Sequence, residues 1–366
     1  MPVEVHAAEQ AAQVDWGFPS AGLFGSVDFD GHYCFGVYDE VLIHRHATLE
    51  WLATGPRLPG ALNSLPYPVT SPNPNPDSEP APLSGAVVTF KPELPQERYE
   101  AMVRRAQDYI AAGDIYQVNL AHAFSADWPE GADALAFARR LRSSSPAPYA
   151  AYLELGERQV ISSSPESFLK MSGSLIRTRP IKGTRPRHRD AAADERSSVE
   201  LLRSAKERAE LLMITDLERN DLGQVCEYGS VRVTDLIKLE RYEQVFHLVS
   251  TVQGTLRPGV SHPTALAACF PGGSITGAPK KRAGEIIAEL EGRPRGLYTG
   301  AIGYFGANGE SQFSIAIRTV VIQNGRAEFQ AGAGIVADSV PTLEWEETLH
   351  KAAGILAAAA DGGGHE

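Results

Sequence analysis

Three features of the sequence predict an α+β fold. Short runs that alternate apolar and polar residues, separated by Gly, Asn and Asp turns, read as antiparallel hairpins. Longer stretches with apolar residues at helical spacing lie between them. The two kinds of element do not alternate as strict strand–helix–strand units, which argues against a doubly wound parallel sheet, and there is no internal repeat or heptad run.

Residues 21–46 alternate around Gly and Asp turns and read as short antiparallel strands. The segment LPYPVTSPNPNPDSEPAPLSG is dense in Pro, Asn and Ser and reads as a linker or long surface loop. It is expected to divide a short N-terminal β piece with its Pro-rich linker (1–82) from a main body (83–360), with 361–366 a flexible tail. Residues 96–112 form an amphipathic helix that Gly113 is placed to end. A strand near 115–125, a helix near 132–143 and strands through 148–182 follow. A long helix covers 194–219, strands return at 230–256, and a helix follows Pro279. Residues 297–336 read as a meander with turns at 307–310 and at Asn324-Gly325, and a last helix spans 341–359.

A net charge of −11 argues against a general nucleic-acid binder but leaves room for a local basic pocket that takes a small anion. Cys34, Cys226 and Cys269 are odd in number and in no C-x-x-C pair, so neither a disulfide framework nor a zinc site is indicated, as befits a reducing cytosol. The start, MPVEVHAAEQAAQVDW, has no basic region before an apolar run, and no stretch is apolar enough for a membrane helix. A soluble, cytoplasmic protein with no nucleic-acid or membrane partner is expected.

Six segments carry candidate chemistry. Lys182, in Arg179-Pro-Ile-Lys-Gly-Thr-Arg-Pro-Arg187, has five arginines (Arg177, Arg179, Arg185, Arg187, Arg189) within seven residues. Cation crowding disfavours a charged amine, and a neutral amine is a nucleophile, although such a run also suits a solvated face or an anion patch. Glu207 and Glu210, then Glu344 and Glu347, are i, i+3 pairs on two separate helices, a pattern that either brings carboxylates together around Mg²⁺ or lies on solvated surfaces. Phe270-Pro-Gly-Gly-Ser-Ile-Thr-Gly-Ala-Pro279 leads into a helix and offers either an anion cradle, assisted by Lys280 or Lys281, or an ordinary helix start. Glu166 follows a strand, and Gly332 and Gly334 mark a tight strand or a backbone approach to a ligand.

Taken together, GDIYQVNLAHAF, SPESF, PIKGTRPR, AKERAELLMITDLERNDLG, FHLVSTVQG, FPGGSITGAPKKRAGEII, GAIGYFG, SIAIRT and GAGIVADSVPTLEWEET resemble the chorismate-utilising enzymes, in that family's order, over about residues 97–352. The resemblance implies stacked antiparallel sheets flanked by helices. Gln117 stands where the hydrating members carry a lysine base, so the chain looks like the aminating branch. Lys182 stands where anthranilate synthases usually read alanine, and looks like the lysine of the aminodeoxychorismate branch.

The resemblance also implies roles. Glu210 and Glu347 would hold Mg²⁺ against a chorismate carboxylate, with Glu207 and Glu344 in support. Glu166 would protonate the departing 4-hydroxyl beside His247, and Lys182 would attack C2 before ammonia enters at C4. Tyr298, Arg318 and the backbone near Thr276, Gly277, Gly332 and Gly334 would bind the substrate's carboxylates. A metal on one carboxylate, a cation on the other and a nearby acid meet the needs of a dianion with a poor leaving group. The N-terminal part is short for the family, which puts a tryptophan feedback pocket in doubt. No cysteine sits in a Gly-x-Cys-x-Gly setting, so a separate glutamine amidotransferase subunit or free ammonia is expected as the nitrogen source. The first reading is amination to 4-amino-4-deoxychorismate, toward 4-aminobenzoate for folate or a secondary metabolite. The second is the anthranilate synthase reaction, and the third a non-catalytic chorismate-binding regulator.

Overall fold

The computed structural model describes residues 4–5, 17–45, 50–54, 87–242 and 245–361. The Pro-rich linker and residues 362–366 of the expected tail lie outside the described residues. Two large antiparallel sheets form the body. One has nine strands and runs in the order Ile181–Pro186, Val245–Thr255, Leu175–Arg179, Ser167–Ser172, Glu310–Ile315, Ala301–Gly306, Gly22–Val27, Tyr33–Tyr38, with Arg232–Arg241 also paired to Val245–Thr255. The other has seven: Gly277–Ala278, Gln117–Asp127, Arg326–Ile335, Thr319–Gln323, Arg158–Ser164, Tyr149–Leu155, with Lys91–Pro92 on Gln117–Asp127. Leu155 and Val160 of the second sheet pack with Leu297, Ile302 and Ala316 beside the first, so the sheets stack as expected.

Seven α-helices flank them among the described residues: α1 (Gln96–Ala111), α2 (Ala134–Ser144), α3 (Ala191–Arg203), α4 (Ala205–Gly223), α5 (His262–Cys269), α6 (Lys280–Glu291) and α7 (Pro341–Ala360). Two sequence expectations are corrected here. The long helix over 194–219 is two helices, α3 and α4. Ser204 leaves helical dihedrals (φ −64°, ψ 106°), and its hydroxyl accepts from the Glu207 amide at 3.3 Å to start α4 afresh. The 297–336 meander is two hairpins in different sheets: the chain leaves the nine-stranded sheet after Ile315 and enters the other at Thr319. Arg318 sits in that crossing at φ +49°, a strained conformation for a residue with a Cβ. Helix α5 had no counterpart in the sequence reading. In the expected N-terminal piece, Gly22–Val27 hydrogen-bonds along Ala301–Gly306.

α7 is pinned to the seven-stranded sheet by His122. The ring stacks on Trp345 with centroids 4.5 Å apart, and its Nε2 lies 2.9 Å from Thr348 Oγ1. Because Thr348 donates to the Trp345 carbonyl, His122 Nε2 must be the donor to it. Burial lowers the His122 pKa from 6.5 to about 4. The unfolded chain therefore binds more protons between these values, and stability falls as pH drops from 6.5 toward 4, by about 3 kcal/mol at full extent. Urea titrations at stepped pH should show this slope, and His122→Gln should flatten it; equal slopes in both proteins would remove His122 as the cause.

Candidate active site

The sheets, α4 and α7 enclose a cavity of about 660 Å³. Its walls include Glu166, Lys182, Glu207, Glu210, His247, Tyr298, Arg318, Gly332, Gly334 and Glu347, ten of the residues singled out from sequence. Gln117, Thr276, Gly277 and Glu344 are not in its walls. Gln117 lies just behind: a Cβ on Gly334 would meet Gln117 Nε2 at 2.9 Å and Lys182 Nζ at 3.8 Å. Thr276 is buried and donates to the Gly272 carbonyl, while Gly277 backs onto the Gln117 carbonyl.

Lys182 reaches the cavity from a β-bulge. It pairs with Leu248, but the next ladder pair is Thr184 with His247, so Gly183 is the extra residue, held at φ +75°. A Cβ there would stand 2.7 Å from Leu201 and 3.0 Å from Glu207, which only glycine avoids. The arginines do not crowd Lys182 as the sequence suggested. Arg179 pairs with Glu240, Arg185 with Glu200 at 2.9 Å and Glu207 at 3.4 Å, and Arg187 with Asp194 at 2.9 Å. Arg177 and Arg189 are exposed. The charge of Lys182 instead acts on the carboxyls of Glu166, Glu210 and Glu347.

Burial raises the Glu166 carboxyl above its ordinary range, against the opposing pull of the Ser274 hydroxyl and Lys182, which suits a proton donor. Burial also lowers the pKa of His247, and nearby Arg318 adds to this. His247 Nδ1 lies 3.3 Å from the Gly183 carbonyl and 3.1 Å from Thr184 Oγ1. A carbonyl can only accept, so Nδ1 carries the proton and Nε2 is left as an acceptor. Arg318 has no carboxylate partner among the described residues, and burial alone lowers its pKa. A half-buried guanidinium without an acid is a ready site for an anion.

Three of the four glutamates of the two helices pair with lysines. Lys206 Nζ stands 4.0 Å from both Glu210 and Glu344, and Lys351 Nζ 2.6 Å from Glu347 and 2.8 Å from the Gly332 carbonyl. Burial raises Glu210, and Glu207 and Glu347 push it further against the lysines. Glu344 is raised by burial, with Glu347 adding to the push. Desolvation would raise Glu347 as well, but Lys351 overrides it and leaves the carboxyl lowered. Glu346, which the sequence reading passed over, lines the cavity where Glu344 does not. Among the described residues, no three His, Cys, Asp or Glu side chains form a ready set of metal ligands.

The anion cradle expected at the start of α6 is not built. Lys280 is taken up by Asp221 at 2.7 Å and by the Cys269 and Pro271 carbonyls, Lys281 is exposed, and Pro279 is the N-cap instead of the first helical residue. The same Gly-rich segment nonetheless lends Ser274 and Ile275 to the cavity. Sequence reasoning also missed Lys351 and Asn119. Lys351 stands at i+4 from Glu347, and Asn119 shares a strand face with Gln117, so helical and strand periodicity could have found both.

Comparison with known proteins places the arrangement. Residues 25–357 match the family described as chorismate binding enzyme. The chain belongs to the chorismate-binding enzymes. It is 49% identical over 266 residues to anthranilate synthase component 1 of Streptomyces coelicolor (72% of this chain, 52% of that protein). It is 46% identical over 264 residues to aminodeoxychorismate synthase component 1 of Bacillus subtilis (72% and 56%). The chain thus spans little more than half the length of these curated relatives. The crystal structure of anthranilate synthase component I from Streptococcus pneumoniae superposes with a TM-score of 0.80 at 33% identity, covering 92% of this chain and 81% of that one. No helix among the described residues is long and apolar enough to cross a membrane.

Proposed function

We propose that this chorismate-binding enzyme aminates chorismate with ammonia to 4-amino-4-deoxychorismate, through a transient adduct on Lys182. The observation that carries the reading is Lys182 itself, set on a bulge in the cavity wall among Glu166, Glu210 and Glu347. In this mechanism a proton passes from the Lys182 ammonium to Glu166. The freed amine forms a bond to C2, the two conjugated ring double bonds both shift toward C4, and the C4–O bond breaks as Glu166 returns that proton to the departing hydroxyl, which leaves as water. Ammonia then bonds to C4, the two double bonds shift back, and the C2–N bond breaks to restore the lysine amine. The new ammonium gives up one proton to complete the cycle. Arg318 holds a substrate carboxylate, and His247 offers Nε2 to the leaving hydroxyl.

Mg²⁺ fits the acid set. Glu210 and Glu344 are strained by burial and by like charge, and this ion takes only one or two protein carboxylates, with substrate and water oxygens completing its shell. Glu210 and Glu347 would hold it, with Glu207 and Glu344 beside them; when bound it would neutralise a substrate carboxylate. EDTA is expected to abolish turnover and Mg²⁺ to restore it, and Glu210→Gln to cut kcat/KM by about a hundredfold. Full turnover in metal-free buffer would sink the metal.

A second reading has its own support: relatives such as the Streptomyces coelicolor protein are named anthranilate synthases. One assay separates the two. Chorismate, Mg²⁺ and an ammonium salt are incubated with the chain, and the products are separated and identified. The 4-amino isomer supports the first reading, and fluorescent anthranilate the second. The nitrogen source should be ammonia, supplied in a cell by a separate glutamine amidotransferase subunit. Glutamine alone should give no product with the purified chain; glutamine-dependent turnover would contradict this.

A further inference from the structure

A second cavity, of about 450 Å³, adjoins the catalytic one, and the two share Pro165, His247, Arg318, His350 and Lys351 in their walls. The mechanism above gives it no part. Arg142, Ser144, Pro146 and His350 are exposed at its rim, and the buried His247 and half-buried Arg318 form its inner end. This side chamber therefore runs from solvent to the guanidinium that is free to take a substrate carboxylate.

The lining is of one sign. Arg142, Arg318 and Lys351 face the chamber, and no Asp or Glu among the described residues does. Lys351 is already engaged by Glu347 and the Gly332 carbonyl. The two guanidiniums are not: Arg318 has no carboxylate partner among the described residues, and neither has Arg142, in the last turn of α2. The far side of the catalytic cavity is opposite in sign. Glu207, Glu210, Glu346 and Glu347 line it, and Glu346 and Glu347 are exposed there. On a chain of net charge −11, an acid-free opening with two unpaired guanidiniums attracts anions that the rest of the surface repels. The carboxyl end of α2 opposes this with roughly half a negative charge, which the full charge of Arg142 in that turn outweighs.

We propose that the side chamber is an entrance for anions, through which a dicarboxylate substrate passes Arg142 on its way to Arg318, while a divalent cation arrives over the glutamates of α4 and α7. Separate doors suit ligands of opposite charge. A dianion approaching over the glutamates meets repulsion until a metal is bound there. Past Arg142 it meets attraction at once, and each planar guanidinium matches a carboxylate with paired hydrogen bonds. Arg142 stands outside the walls of the catalytic cavity, so its charge guides the substrate without touching the chemistry. An exposed arginine with no such duty is a solvated charge, and its replacement would move neither measurement below.

The inference rests on chorismate being the substrate and is indifferent to which amino isomer forms. Crystals soaked in sodium bromide are expected to show anomalous peaks in the chamber beside Arg142 and beside Arg318. In Arg142→Ala the outer peak should vanish and the inner one remain. In solution, chorismate consumption is followed at fixed Mg²⁺ and low fixed ammonia, from low salt to about 0.5 M NaCl. Arg142→Glu is expected to lower kcat/KM for chorismate about fivefold at low salt, and Arg142→Ala about twofold, with kcat unchanged and the gap closing as salt rises. Arg142→Lys, which keeps the charge, should match the wild type. Bromide in the chamber with kcat/KM unchanged in Arg142→Glu would mark an adventitious ion only and overturn the entrance. An absence of bromide there overturns it too. A loss of kcat/KM that persists undiminished at high salt would come from packing instead of charge, and also overturns it. A wild type that leaves chorismate untouched would overturn the proposed function, while the bromide peaks still decide whether the chamber holds anions.

Discussion

Replacing Lys182 with alanine is expected to lower formation of the 4-amino product by about a hundredfold or more, because it removes the nucleophile that splits one hard displacement into two easier ones. The fold should tolerate the change. Lys182 is half-buried at the cavity, and the neighbouring bulge depends on Gly183. Residual amination should drift toward C2, where ammonia can take the position that the lysine amine held. Mass spectrometry of wild-type protein quenched with chorismate should find added mass on the peptide containing Lys182, and none in the variant. Undiminished 4-amino product from Lys182→Ala would end the covalent mechanism. Anthranilate as the main wild-type product would end the choice of branch as well.

The second large effect is on stability and centres on Arg295. Arg295 is 3% exposed, and its guanidinium holds together four parts of the chain. It bonds Glu291 at 2.6 and 2.9 Å, the Ile275 carbonyl at 3.1 Å, Thr299 Oγ1 at 3.1 Å and the Asn119 carbonyl at 2.8 Å. Arg295→Met leaves Glu291 as a buried charge without its cation and strands two carbonyls, a loss expected at about 3–5 kcal/mol. Urea unfolding should show the midpoint falling with little change in slope. Glu291 also accepts from the Ala121 amide at 2.9 Å, so adding Glu291→Gln should keep that bond while removing the stranded charge. The double variant should therefore recover part of the loss. If it is no better than Arg295→Met alone, the damage comes from the carbonyls or from packing, and the unpaired-charge argument fails.

Much of the fold was legible because local rules and tertiary packing agree. α1 runs Gln96–Ala111 with Gly113 beyond it at φ +82°, where turn chemistry placed its end. The break at Ser204 was legible too: a serine followed three residues later by glutamate is a helix-start signature, hidden here by good helix formers on both sides. Period and turns located both hairpins of 301–335. Which sheet each hairpin joins depends on partners such as Gly22–Val27 and Gln117–Asp127, far away in sequence. The site shows the same division. Helical spacing found the glutamates, but not that Glu346 faces the cavity and Glu344 faces Lys206. The arginine cluster around Lys182 misled because acids from other elements (Glu240, Glu200, Asp194) take up the charge.

The hairpin of Gly22–Val27 and Tyr33–Tyr38 closes one side of the nine-stranded sheet by pairing Gly22–Val27 with Ala301–Gly306. On a ribosome that partner emerges long after the strand it pairs with. Until it emerges, the early hairpin has nothing on which to rest Phe35, whose ring packs against Phe305 and Phe313 in the finished sheet. Such long-range pairing is slow and leaves apolar strand surface open while the chain is still growing. Expression of this protein should therefore respond to trigger-type chaperones and to slower translation, and truncated products that end before residue 301 should be insoluble.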